Sequence, residues 1–70
     1  MRSTMDLKRV VSAGAGLIID GSRYSAMDLK AIVGCAKAPV TIKNVKDFSA
    51  MDLKSIAVAG NGHVIFDLCD

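Results

Sequence analysis

The 70-residue chain has no tryptophan, only three aromatic residues and a single proline. Its core must therefore be built from aliphatic side chains and alanine, which belong to the 51% of residues that are hydrophobic. Cysteine is nearly absent as well. Cys35 and Cys69 cannot supply the dense disulfide framework of a small secreted domain, and a reduced, cytoplasmic protein is the expectation. Apolar runs stop after a few residues, well short of the roughly 20 needed to span a bilayer as a helix. Met1-Arg2-Ser3-Thr4 leads into no apolar signal segment. Charge of one sign is lacking too. Nine Lys and Arg against seven Asp and Glu leave a net charge of +2, far from the dense basic surface of a general nucleic-acid binder. A chain this short buries only about 60% of the surface it exposes when unfolded, so one domain is expected over residues 1–70.

What the sequence does have is an internal repeat. Met-Asp-Leu-Lys occurs at Met5–Lys8, Met27–Lys30 and Met51–Lys54, at separations of 22 and 24 residues. Ser25–Ile32 and Ser49–Ile56 agree at seven of eight positions. Three units follow, about 3–24, 25–48 and 49–70.

Each unit opens with helix-start chemistry. Ser25 and Ser49 suit the N-cap, where a hydroxyl accepts a hydrogen bond from a first-turn N–H. Asp28 and Asp52 then meet the positive end of the helix dipole. Tyr24 and Phe48 precede the caps, with Leu29 and Leu53 five residues on, the spacing of a hydrophobic staple. Ser3, Asp6 and Leu7 repeat the pattern without the aromatic. Leu29, Ile32, Val33 and Ala36 form one apolar stripe at helical spacing, matched by Leu7, Val10, Val11 and Gly14 and by Leu53, Ile56, Ala57 and Gly60. Helices of about ten to twelve residues are expected. Gly14-Ala15-Gly16 and Gly60-Asn61-Gly62 should end two of them through a left-handed glycine, and Pro39 should stop the other.

A short β-rich run follows each stop: Leu17-Ile18-Ile19, Val40-Thr41-Ile42 and Val64-Ile65-Phe66. Helix, turn and strand in succession imply parallel strands joined by helical crossovers. The expected fold class is α/β: three helix–strand repeats forming a short solenoid, with a three-stranded parallel sheet and helices on one face. In its period and its helix–strand alternation the chain resembles the leucine-rich-repeat family and similar α/β solenoids over its whole length. The resemblance is one of architecture, and it implies a scaffold that binds partners; it assigns no functional residue.

Strand side chains alternate between faces. If Leu17/Ile19, Val40/Ile42 and Val64/Phe66 turn toward the helices, Ile18, Thr41 and Ile65 make a row on the other face. Parallel strands sit about 4.8 Å apart and packed helices about 8–10 Å, so the helix layer should splay and leave the sheet on the inner side. Parallel sheets are usually covered on both faces, and helices here serve only one. Outer strands would also carry unpaired N–H and C=O groups. The functional expectation is a non-enzymatic module for protein–protein interaction or self-assembly, a homo-oligomer, through the open face and the strand edges. Ile18, Thr41 and Ile65 are its candidate contacts.

Chemistry of other kinds finds less support. The glycine turns follow helices and precede strands, the reverse of a phosphate-binding loop. Cys35, His63 and Cys69 lack the paired spacing of a zinc site, and Cys35 is expected inside a helix as a small apolar side chain. No base with a nucleophile in register surrounds His63. Neither catalytic residue, metal nor cofactor is therefore expected. Lys8, Lys30 and Lys54 occupy equivalent positions and would stack into a basic row able to contact phosphates, which makes a nucleic-acid-binding module the alternative. Asp6, Asp28 and Asp52 in the same turns dilute that field, and no aromatic platform for bases is present.

Overall fold

The computed structural model describes residues 3–69. Met1 and Arg2, the start of the N-terminal segment read above, and Asp70, the end of the third unit, lie outside the described residues. The element order is α1 (Thr4–Ser12), β1 (Leu17–Asp20), a 3-10 turn (Gly21–Arg23), α2 (Ala26–Val33), β2 (Val40–Lys43), α3 (Ala50–Gly60) and β3 (Val64–Phe66). The molecule is mixed α/β, and its three strands form one parallel sheet in the order β1-β2-β3.

Each helix starts at the serine expected to cap it. The Ser3, Ser25 and Ser49 hydroxyls accept from the backbone N–H groups of Asp6, Asp28 and Asp52, each at 3.1 Å. Each cap contributes about 1 kcal/mol. Tyr24 and Phe48 are partly buried against the same core as Leu29 and Leu53, as a staple requires.

α1 ends as expected, with Ala13 as C-cap and Gly14 at φ 105° just beyond it, whereas the other two helix ends differ from the expectation. α2 closes five residues before Pro39 is reached, with Gly34 as C-cap and a tight turn through Cys35 and Ala36. Glycine is a poor helix former, about 1 kcal/mol worse than alanine, so Gly34 ends the helix before the proline can. Cys35 therefore lies in a turn and not in a helix. α3 runs through Gly60, and Asn61 takes the left-handed cap at φ 49°. Asparagine tolerates that conformation. Gly60 is needed for space instead: a methyl there would collide with Val64 and come within 3.3 Å of the Val33 side chain. Gly21 is held by a similar approach, since a methyl would lie 2.9 Å from the Lys43 carbonyl oxygen.

The core is aliphatic. Val40 and Ile42 of β2 are fully buried with Leu29 and Ile32 of α2, Val11 of α1 and Ile56 of α3. Ile19 joins them, and Leu17, Val64 and Phe66 pack against the cluster from either side. Val45, just past β2, is also buried. The helical stripes hold only in part: Val10, Gly14 and Ala57 are exposed. The 24-residue repeat accommodates its two extra residues as one in the helix-to-strand connection and one in the strand-to-helix connection. The strands thus stay in register.

Candidate interaction surface

The register sets Ile18 opposite Thr41 and Thr41 opposite Ile65. Their neighbours along each strand point into the core, so period-two alternation puts this row on the other face. Ile18 is 75% exposed and Ile65 50% exposed; Thr41, between them, is partly buried. Two isoleucines held open to water on a pleated surface cost solvation free energy that contact with another apolar surface would recover, about 25 cal/mol per Å² covered.

The strand ends frame this row with polar groups. Asp20 aligns with Lys43, and Asp67 follows β3 one step on. The Asp20 carboxylate accepts from the Ser22 hydroxyl at 2.6 Å, the Ser22 N–H at 3.0 Å and the Asn44 side-chain amide at 3.0 Å. Arg23 Nε lies 3.4 Å from its other oxygen. The Ser22 hydroxyl, then the Asn44 amide, then the Ser22 N–H hold its carboxyl down at about 2. Asn44 reaches it from a left-handed backbone at φ 57°, tying the end of β2 to the end of β1. Lys43 Nζ stands 3.9 Å from Asp67, an exposed pair worth little by itself. Asp67 in turn accepts from the Cys69 N–H at 3.0 Å, the same two-residue turn that Asp20 makes with Ser22.

The lysines are less regular. Lys30 and Lys54 are exposed and line one open groove between α2 and α3 with Met51 and Val58. Lys8 is partly buried and lies outside that groove. A second row was not singled out from sequence. Met5, Met27 and Met51 are 60%, 77% and 69% exposed at equivalent helical positions. At 100° per residue, a methionine two places before the repeat leucine falls about 200° around the helix from it. That offset was the available signal.

Among the described residues no three or more His, Cys, Asp and Glu side chains gather where they could hold a metal ion. Cys35 and Cys69 are free thiols, the first partly buried and the second exposed. His63 immediately precedes β3, and its carbonyl accepts from the Val40 N–H at 2.8 Å. No described helix is long and apolar enough to cross a membrane. No family model matches the chain, and neither a curated protein nor a solved structure does, so its function has to be read from its own geometry.

Proposed function

We propose that this protein is a non-enzymatic interaction module: three stacked repeats in a short, leucine-rich-repeat-like solenoid that contacts protein partners, its own copies included, through the open sheet face and the strand edges. The observation that carries the reading is the Ile18–Thr41–Ile65 row, apolar at both ends and exposed on a face that no described helix covers. Isolated exposed apolar residues are ordinary, but two isoleucines flanking a threonine in register on one sheet face support a contact surface. The outer edges of β1 and β3 add backbone donors and acceptors that a further strand can pair.

Site-directed coupling tests the face. In a Cys35→Ser/Cys69→Ser background, Thr41→Cys should be joined to a second chain by a short bis-maleimide at micromolar concentration. The product should disappear in the Ile18→Asp/Ile65→Asp variant. No coupled product at any concentration where the protein remains soluble would refute contact through this face. Lys30 and Lys54 sharing one groove favours the nucleic-acid alternative. Retention on heparin that collapses with added salt would support it, and no retention at low salt would remove it.

A further inference from the structure

The exposure of equivalent helical positions follows the order of the units. Three residues after each repeat leucine stand Val10, Ile32 and Ile56; Val10 is 43% exposed, whereas Ile32 and Ile56 are fully buried. Four residues after it stand Val11, Val33 and Ala57; the first two are buried and Ala57 is exposed. The earlier position is therefore covered by the preceding unit and the later one by the following unit. The α2–α3 junction shows such a contact directly, because Val33 closes on Gly60. The strands grade in the same way: Val40 in the middle is fully buried, while Leu17 and Val64 on either side remain partly open. The two ends of the stack bare opposite halves of one interface, which already forms between α1/β1 and α2/β2 and again between α2/β2 and α3/β3.

We propose that the occupant of these ends is a second copy of this chain, docked head to tail. Val10 and Leu17 of one copy seat against Leu53, Ala57 and the free edge of β3 of another. The proposal rests on the self-assembly reading above and specifies its geometry. Continuity with the internal junctions is its warrant: Val10 at one end is the repeat equivalent of the buried Ile32 and Ile56, and Leu53 and Ala57 at the other end are the equivalents of the buried Leu29 and Val33. β1 of the incoming copy would supply the parallel neighbour that β3 lacks. Continuing the register sets Asp67 beside Asp20 of the next copy. Each carboxylate already has a cation, Lys43 or Arg23, so this junction is weaker than the internal ones without being forbidden. A head-to-tail contact of this kind is heterologous, so it does not close on itself at two copies. It also extends the open sheet face from one copy to the next.

Two end-blocked variants test this. Val10→Glu blocks one end and Ala57→Glu the other; both residues are exposed, and helical circular dichroism should match the parent. Sedimentation of the parent should show species growing past the dimer as concentration rises. Each variant alone should remain at 7.4 kDa. Mixed in equal amounts they should form a heterodimer of twice that mass, because each keeps one intact end. The proposal is overturned if the mixture stays monomeric, if either variant alone assembles like the parent, or if the parent forms only a closed dimer or no assembly. In a head-to-tail stack the Thr41 residues of adjacent copies lie three strand spacings apart, about 14 Å, beyond a shorter linker. Thr41→Cys coupling that persists while the mixture fails would leave the face contact standing and remove this one. A heterodimer without coupling would do the reverse.

Discussion

Leu7, Leu29 and Leu53 hold the same position in three helices, so truncating each to alanine isolates the effect of neighbouring units from that of residue type. Leu29 is 0% exposed and Leu7 7%, while Leu53 is only partly buried. Leucine-to-alanine removes close to three methylene equivalents, about 2.4 kcal/mol of transfer free energy at full burial. An unrelaxed cavity raises the total into the range of about 2.7–5 kcal/mol. Leu29 is fully enclosed in the core cluster, so its site has little room to collapse, and about 3–4 kcal/mol is expected for Leu29→Ala. Leu7→Ala should cost about 2.5–3 kcal/mol, because Leu7 is nearly as well buried. Leu53→Ala should cost about 1–2 kcal/mol, since the side facing away from α2 is open and part of the transfer term is already lost. A domain of this length has only about 4–10 kcal/mol in total. Leu29→Ala should therefore remove a large share of it. Urea unfolding followed by circular dichroism, at one protein concentration below self-association, gives the three values with a common m. Equal costs at the three positions, or the largest at Leu53, would refute the claim that burial sets the cost at this position.

Gly60→Ala should be destabilising by about 1 kcal/mol, since overpacking against Val64 and Val33 costs about 1–3 kcal/mol and exceeds the 0.5–1 kcal/mol that alanine gains in a helix. Adding Val64→Ala should recover part of that loss in the same urea measurement, and a stabilised single variant would contradict it. Ser25→Ala and Ser49→Ala should each lower stability by about 1 kcal/mol, with glycine at either site costing only a few tenths; an unchanged unfolding midpoint would count against the caps. The Asp20 carboxyl is held at about 2 in the folded chain, below its unfolded value of about 3.9. The stabilisation is thus complete above about pH 4 and is lost as pH falls toward 2. The parent should exceed Asp20→Asn in thermal stability at pH 6, and the gap should close between pH 4 and 2. A gap that widens on acidification would reverse the assigned sign.

Much of the fold was legible because the same signals occur three times. Ser3, Ser25 and Ser49 each precede an aspartate by three residues, and all three cap a helix. The runs at Leu17, Val40 and Val64 are all strands, and the parallel order follows from a helix between each pair. Local chemistry also explains where the reading slipped. Gly34 and Pro39 both discourage helix, and periodicity does not say which acts first. In Gly60-Asn61-Gly62 two residue types suit a left-handed backbone, and only the crowding by Val64 and Val33 assigns Gly60 to the helix and Asn61 to the cap. The exposure of Val10 and Ala57 was invisible for a different reason: a helical stripe shows which face is apolar, but not whether a neighbour covers it. Asn44 reaching Asp20 is a contact across 24 residues that no local pattern encodes.

The register of the sheet is what turns Ile18, Thr41 and Ile65 to one side, and proton contacts between the strands measure it directly. A nuclear Overhauser spectrum of the isotope-labelled protein should show parallel amide-to-α-proton contacts, with Ile18 opposite Thr41 and Thr41 opposite Ile65. Contacts offset by a single residue would place one of the isoleucines among the helices, and an antiparallel pattern or none would dissolve the row altogether.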